Sequence, residues 1–360
     1  MLSSKTNMPG TETIPGRGVL LVNLGSPASA STGDVRRYLR EFLMDGRVLD
    51  IPFPLRALLV NAIIVPFRAR KSAEAYRSIW TAEGSPLVVN SRKMRDRLAE
   101  QVPMPVALGM RYGRPAITDG LRDLTEQMGS GLREVFLVPL YPHYAMSTVE
   151  TVVVRTRSAL RRIDPAVRLT VLPPFYGDPL YVEALAASAA EHLRSDYDHL
   201  LFSYHGLPQR HLRKTDPTGD HCLTSPDCCQ VASPAFATCY RAQSLATTRA
   251  FVARAGVPEG KYSVAFQSRF GRDVWLEPFA DAEIVRLAQE GVRRLLVICP
   301  AFTADCLETL EEIGIRGRES FLAAGGHDLR LLPCLNDHPL WIDALARWCT
   351  GAPCNTPAPT

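Results

Sequence analysis

Residues 107–114 read A-L-G-M-R-Y-G-R, and residues 265–272 read A-F-Q-S-R-F-G-R. Two more pairs keep the same order along the chain. L-V-N-L-G-S-P at 21–27 parallels F-S-Y-H-G-L-P at 202–208, and V-P-L-Y at 138–141 parallels C-P-A-F at 299–302. The members of the last pair lead towards Glu150-Thr151 and Glu308-Thr309. Chance could supply one such match, but three collinear ones imply a duplicated unit, which restricts the chain to two similar halves.

Periodicity says what the unit is. Apolar runs of strand length occur at 18–24, 105–110, 134–140 and 168–172, then at 199–204, 262–267, 293–298 and 328–332. Helical spacing fills most gaps between them, for example at 31–45, 180–193, 242–255 and 282–290. Strands alternating with helices predict parallel sheets covered on both faces. The fold class is therefore α/β, with two similar doubly wound domains, each a four-stranded parallel sheet flanked by helices, facing each other across a cleft. Turn residues place a polar tail at 1–17, a first domain at 18–173 and a second at 174–335, with the boundary near Pro173-Pro174. The second domain carries a Cys-rich insert at about 217–240. A last helix at 336–350 can pack on either half, and 351–360 form a second tail.

Composition removes several classes of function. A formal charge of +4 over 360 residues, with no long Lys/Arg block, argues against a nucleic-acid surface. The N-terminal residues lack the apolar core of a secretion signal, so the expectation is a cytoplasmic chain with reduced thiols. No run approaches the ~18 apolar residues of a spanning helix. The longest, L-R-A-L-L-V-N-A-I-I-V-P-F at 55–67, is followed by Arg68, Arg70 and Lys71. It reads either as a core helix with a basic exit or as an amphipathic patch that rests on a bilayer. Neither a P-loop nor G-x-G-x-x-G follows the first strand, so no nucleotide cofactor is expected, and no G-x-S-x-G elbow points to acyl transfer.

Chemistry gathers at 299–313, C-P-A-F-T-A-D-C-L-E-T-L-E-E-I, just after the strand at 293–298. Helical spacing would put Asp305, Glu308 and Glu312 on one stripe, with Leu307, Leu310 and Ile313 facing the core. Acids in a first turn also complement the helix macrodipole, and for Glu311 that reading stands level with a functional one. The C-terminal ends of parallel strands are where open α/β sheets bind ligands, and position therefore favours function for Asp305 and Glu308. His205 ends the first strand of the second half and points to the same mouth. An imidazole and a carboxylate meeting there can share a divalent cation or accept protons.

Tyr112, Tyr141, Tyr144, Phe270, Trp275 and Phe302 fall near strand ends. Singly each suits a core; together they suggest walls for a flat apolar ligand. Arg111 and Arg269, at equivalent points of the repeat, can pair with ligand carboxylates or with structural acids. In the insert, Cys222, Cys228, Cys229 and Cys239 follow His221. Four thiols so close in a reduced chain read as a metal or cluster site before they read as disulfides, with zinc, an iron–sulfur cluster and unligated thiols all open. Cys299, Cys306, Cys334, Cys349 and Cys354 read as buried or incidental.

At this point the chain resembles the ferrochelatases, from about residue 18 to 348. The resemblance rests on L-V-N-L-G-S-P at 21, G-S-P-L at 84, Y-P-H-Y-A-M-S-T at 141, S-Y-H-G-L-P at 203, F-Q-S-R-F-G-R-D-V-W-L at 266 and A-F-T-A-D-C-L-E-T-L-E-E at 301. It implies two Rossmann-like (chelatase-type) domains, a porphyrin in the cleft between them, and insertion of Fe(2+) into protoporphyrin IX as the last step of haem synthesis. His205 matches the family's essential histidine, Glu308 its essential glutamate, and Asp305 a further acid of its metal or proton path. Trp275 matches the indole near the pocket, and Arg111 and Tyr112 fall in a pocket-lining segment. Residues 55–67 overlap an apolar lip that in many members touches membrane. Some bacterial members hold a [2Fe-2S] cluster on internal cysteines. Cys306 departs from animal members, which carry His there. Either His205 or Glu308 could be the proton acceptor. A chelatase for cobalt, nickel or coproporphyrin, and a tetrapyrrole or metal carrier, are the rival readings.

Overall fold

The computed structural model describes residues 14–356; residues 1–13 and 357–360, which hold most of one expected tail and part of the other, lie outside the described residues. Eight strands appear where the apolar runs predict them: β1 (Arg17–Ser26), β2 (Val106–Gly113), β3 (Glu134–Pro139), β4 (Arg168–Val171), β5 (His199–His205), β6 (Tyr262–Gln267), β7 (Arg294–Ile298) and β8 (Asp328–Leu331). They form two four-stranded parallel sheets, ordered β2-β1-β3-β4 and β6-β5-β7-β8. The two orders are the same, as duplication requires. β1 and β5 are buried almost from end to end, as in central strands covered on both faces.

The helices are α1 (Thr32–Leu43), α2 (Phe53–Leu58), α3 (Val65–Ile79), α4 (Pro86–Gln101), α5 (Ile117–Met128), α6 (Thr151–Ile163), α7 (Pro179–Arg194), α8 (Gln209–Thr215), α9 (Tyr240–Ala255), α10 (Ala280–Gln289), α11 (Arg318–Ala323) and α12 (Pro339–Cys349). Three wider π-helical segments interrupt the pattern, at Leu59–Ile64, Met146–Glu150 and Glu308–Gly317. No described helix is long and apolar enough to cross a membrane.

One hydrophobic cluster joins the halves. It takes Leu21 and Phe136 from the first sheet, Phe202 and Tyr204 from the second, and Trp341 and Trp348 from α12. The opposite sheet faces have separate cores, around Leu121 and Leu137 in one half and Ile284 and Leu295 in the other. α12 settles on both halves, with Phe175 ringed by Trp341 (5.5 Å) and Trp348 (5.2 Å) and Arg17 Nη1 donating to Cys349 O (2.9 Å). The space between the sheets is thus packed at the back. It opens only beyond the strand ends.

From β1 the chain crosses one way to β2 and then back past β1 to β3; it repeats this from β5 to β6 and then β7. That reversal leaves a crevice at the C-terminal ends of β5 and β7, where doubly wound sheets take ligands. His205 is the last residue of β5, and the 308–317 segment follows β7.

Candidate active site

A cavity of about 1040 Å³ lies at that crevice, large for a small-molecule site. Phe42, Ile64 and Phe67 line it from the first half, and His205, Trp275 and Glu308 from the second. Its rim is formed by the lip, from α2 to the start of α3, and by the loop at 268–275. The two rims meet where the Arg68 guanidinium lies 4.3 Å over the Phe270 ring.

Backbone approach explains the Gly after His205. A Cβ on Gly206 would stand 2.7 Å from Gln267 O, which already accepts from Gly206 N–H (2.7 Å). The turn fixes His205, whose Nδ1 lies 2.6 Å from Gly206 O. A carbonyl only accepts, so Nδ1 carries the proton and Nε2 keeps its lone pair. The imidazole is thereby presented as a base or ligand, with Phe302 packed 6.2 Å from it, ring to ring.

The acids arrive differently from the expected stripe. Residues 308–317 form a π-helix, with backbone bonds to the fifth residue. The wider turn shows in the side chains, since Arg316 Nε donates to Glu311 Oε1 (2.8 Å) at a spacing of five. Glu308, Glu311, Glu312 and Arg316 all line the cavity. Gln267 ties this segment to β5, accepting from Ser203 Oγ (2.6 Å) and donating to Glu308 O (2.7 Å).

Glu312 accepts from Ser268 N–H (2.8 Å) and from the Ser268 hydroxyl. Ser268 reaches it with φ +66°, a left-handed conformation that costs a non-glycine residue about 1–3 kcal/mol. Burial raises the Glu312 pKa, and Glu308 nearby adds to this, while Ser268 and His205 pull the other way.

Asp305 requires a correction. It precedes the π-helix, and its carboxylate accepts from Cys334 N–H (3.1 Å) and Asn336 Nδ2 (2.8 Å), facing the 334–336 loop and not the cavity. The helix begins only after Asp305, so the expected stripe keeps Glu308 and Glu312 and loses Asp305, which clasps the loop. Arg111 and Tyr112 also lie behind the wall. Both donate to Asp45, Tyr112 OH at 2.9 Å, and Phe42 packs 5.2 Å from the Tyr112 ring on the cavity side. Tyr141 packs in the outer core of the first sheet with its OH buried and unpartnered. Phe302 backs His205, and Trp275 lines the cavity with Nε1 bonded to Phe270 O (2.9 Å). Sequence reasoning did not single out Gln267 or Ser268. Both lie within the repeated A-F-Q-S-R-F-G-R, but nothing in one dimension couples them to the acids.

The four insert cysteines come together, all buried. They form a contact chain: Cys222 and Cys229 adjoin Cys239, and Cys229 Sγ lies 4.0 Å from Cys228 Sγ. The two adjoining thiols pull the Cys239 pKa down, while contact with Cys239 and burial push theirs up. Leu223 N–H points at Cys228 Sγ (3.4 Å), and Ala242 N–H, in the first turn of α9, at Cys239 Sγ (3.5 Å). Four buried thiols with backbone donors aimed at the sulfurs suit thiolate ligands. They are strung out, and no set of three His, Cys, Asp or Glu side chains among the described residues stands at single-ion spacing.

A family model described as Ferrochelatase matches residues 16–352. Among similar proteins, a ferrochelatase of Pseudomonas fluorescens (strain Pf0-1) is 54% identical over 337 residues, 93% of this chain and 98% of that protein. One from Stutzerimonas stutzeri (strain A1501) is 52% identical over 339 residues, 94% of this chain and 98% of that protein. Among solved structures, SirB from Bacillus subtilis with Fe3+ matches at a TM-score of 0.51 and 13% identity, covering 93% of this chain and 96% of its own, a likeness of fold alone.

Proposed function

The chain belongs to the ferrochelatase family, and from that premise we propose how its cleft works. The protein is a porphyrin metal chelatase that inserts Fe(2+) into protoporphyrin IX and releases two protons. The observation that carries the assignment of residues is the convergence, on one cavity at the strand ends, of a bare His205 Nε2 and the Glu308–Glu312 row.

A free porphyrin is nearly flat and holds two pyrrole protons, so a cation enters only when the ring is bent and both protons leave. The aromatic walls, Phe42, Phe270 and Trp275, hold the ring in a distorted form through contacts remote from the nitrogens. His205 Nε2 faces the nitrogens from one side and accepts their protons. Glu308 lines the same cavity as the first acid of the row, and Glu312, whose buried carboxylate holds a proton more readily than usual, carries protons onward or meets the incoming iron. Arg68 at the rim suits a carboxylate at the edge of the macrocycle.

Cys222, Cys228, Cys229 and Cys239 would hold a [2Fe-2S] cluster, which supplies a one-electron couple when bound. Metal insertion is redox-neutral, and no step above passes through that group. Phe53, Leu55, Leu58, Ile63 and Phe67 are exposed along the lip, with Arg70 and Lys71 beside them, which supports peripheral contact with an anionic bilayer.

Anaerobic incubation with Fe(2+) and protoporphyrin, followed by absorbance, tests the reading. His205→Ala and Glu308→Ala should each lower turnover by at least about a hundredfold while leaving the thermal midpoint near that of the parent. Near-parental turnover in His205→Ala removes the assignment. Parallel reactions with coproporphyrin and with Co(2+) separate the neighbouring chelatase activities, and tight porphyrin binding without metallation would mark a carrier.

A further inference from the structure

α8 touches three regions at once. At its start, the turn after His205 is pinned beside Trp275 by Leu276 N–H to Leu207 O (3.0 Å) and Gln209 N–H to Val274 O (2.8 Å). Along its side, three donors converge on one carboxylate: Asp50 accepts from Arg210 Nη2 (2.8 Å), His211 Nε2 (3.1 Å) and Lys214 Nζ (3.5 Å). Asp50 lies in the segment leading into the lip, and its side chain is only 7% exposed. At its end, α8 is stapled to the cysteine insert. The Thr238 hydroxyl donates to Thr215 O (2.6 Å), and Asp216 accepts from His221 N–H (2.8 Å) and Cys222 N–H (2.7 Å).

Every donor to Asp50 from the second half therefore sits on one helix of seven residues. Too short to hold its shape alone, α8 depends on what grips its two ends. One grip is the His205 turn; the other is the thiol-bearing insert, next to Cys222 and Cys239.

We propose that α8 is a lever that couples the four-thiol site to the mouth of the cleft: an ordered thiol site holds α8 against Asp50 and keeps the lip closed over the porphyrin. Asp50 acts here as a positioning residue, with no contact to the reacting atoms. The inference rests on reading the four thiols as a cluster site. It adds a consequence, that loss of the group is felt first as loss of porphyrin affinity and not as loss of chemistry.

The test uses the full-length protein, with bound iron and visible absorbance scored first. Hydrogen exchange at residues 47–58 and quenching of porphyrin fluorescence then report on the mouth. Cys239→Ser should remove the colour, speed exchange at 47–58 and weaken porphyrin binding about tenfold. Asp50→Asn should do the last two by a similar factor with the colour kept, raising KM for porphyrin while kcat stays within about twofold. The double variant should be no worse than either single one, because both cut the same linkage. Thr238→Val cuts the linkage without touching a thiol, so the inference stays testable if Cys239→Ser fails to fold. Coloured parent protein whose Thr238→Val or Cys239→Ser variant leaves 47–58 unchanged would overturn the lever while sparing the cluster. Additive effects in the double variant would overturn it too. Colourless, iron-free parent protein would remove the cluster reading and the lever with it.

Discussion

His143 sits where the halves meet, its ring edge-on to Tyr204 (5.4 Å) and Tyr240 (5.6 Å) and its Nε2 bonded to Thr247 Oγ1 (2.8 Å). Complete burial lowers its pKa from 6.5 to about 3, so the folded protein keeps it neutral where an unfolded chain would take up a proton. Its contribution to stability is whole above about pH 6.5 and is lost as the pH falls towards 3, by at most about 1.4 kcal/mol per pH unit. His143→Gln should flatten the acid limb of urea-unfolding stability between about pH 6.5 and 4.5 without changing its neutral plateau by as much. Ser268 gives a second pH-dependent outcome. Its hydrogen bonds oppose the burial that raises Glu312, so Ser268→Ala should raise that carboxyl further and move the acid limb of kcat/KM to higher pH. An acid limb that stays in place would separate Glu312 from the rate-limiting protonation state. The type of each acid is plain from the sequence. Which acid is turned away depends on where the helix begins and on the 334–336 loop that holds Asp305, and residue types do not announce either.

Among the elements, the Glu308–Gly317 segment carries the greatest consequence. A hydrophobic period near 3.6 predicts an α-helix there, yet the backbone takes a wider turn, and Glu308, Glu312 and Arg316 lie along the cavity. Removing one residue, Gly314, should let the segment close into α-helical bonding with the fold intact. The acids would then rotate away from His205, and metallation should fall by about a hundredfold. Circular dichroism and the thermal midpoint near parental values, with turnover lost, is the expected pattern; retained turnover would show that the wide turn is not needed. The strands were easier to read. Each is a short apolar run ended by turn residues, and a buried parallel strand tolerates little else. The lip shows the intermediate case, one apolar run in sequence that divides into α2, a π-helical stretch and the start of α3.

For the whole molecule, the exposed apolar lip lies at the open mouth of the cleft, opposite the packed back of the two sheets. If that lip rests on a bilayer, replacing Phe53, Leu55 and Leu58, exposed on the lip and outside the cavity lining, by Ser should lower partitioning to anionic vesicles by at least about tenfold, with turnover on detergent-dispersed porphyrin little changed. Unchanged co-sedimentation would detach the lip from membranes. The amino-acid sequence alone determined the duplication, the eight strands, the approach of His205 and Glu308 to one mouth, and the grouping of four thiols. Those follow from local runs, turn residues and collinear repeats, which survive in one dimension. Only the tertiary structure decided that Asp305 serves a loop, that Arg111 and Tyr112 stand behind the wall on Asp45, and that α8 joins the insert to the lip. Each of these is set by packing between segments far apart in the chain, where the start of a helix or one buried carboxylate changes which neighbour a side chain meets.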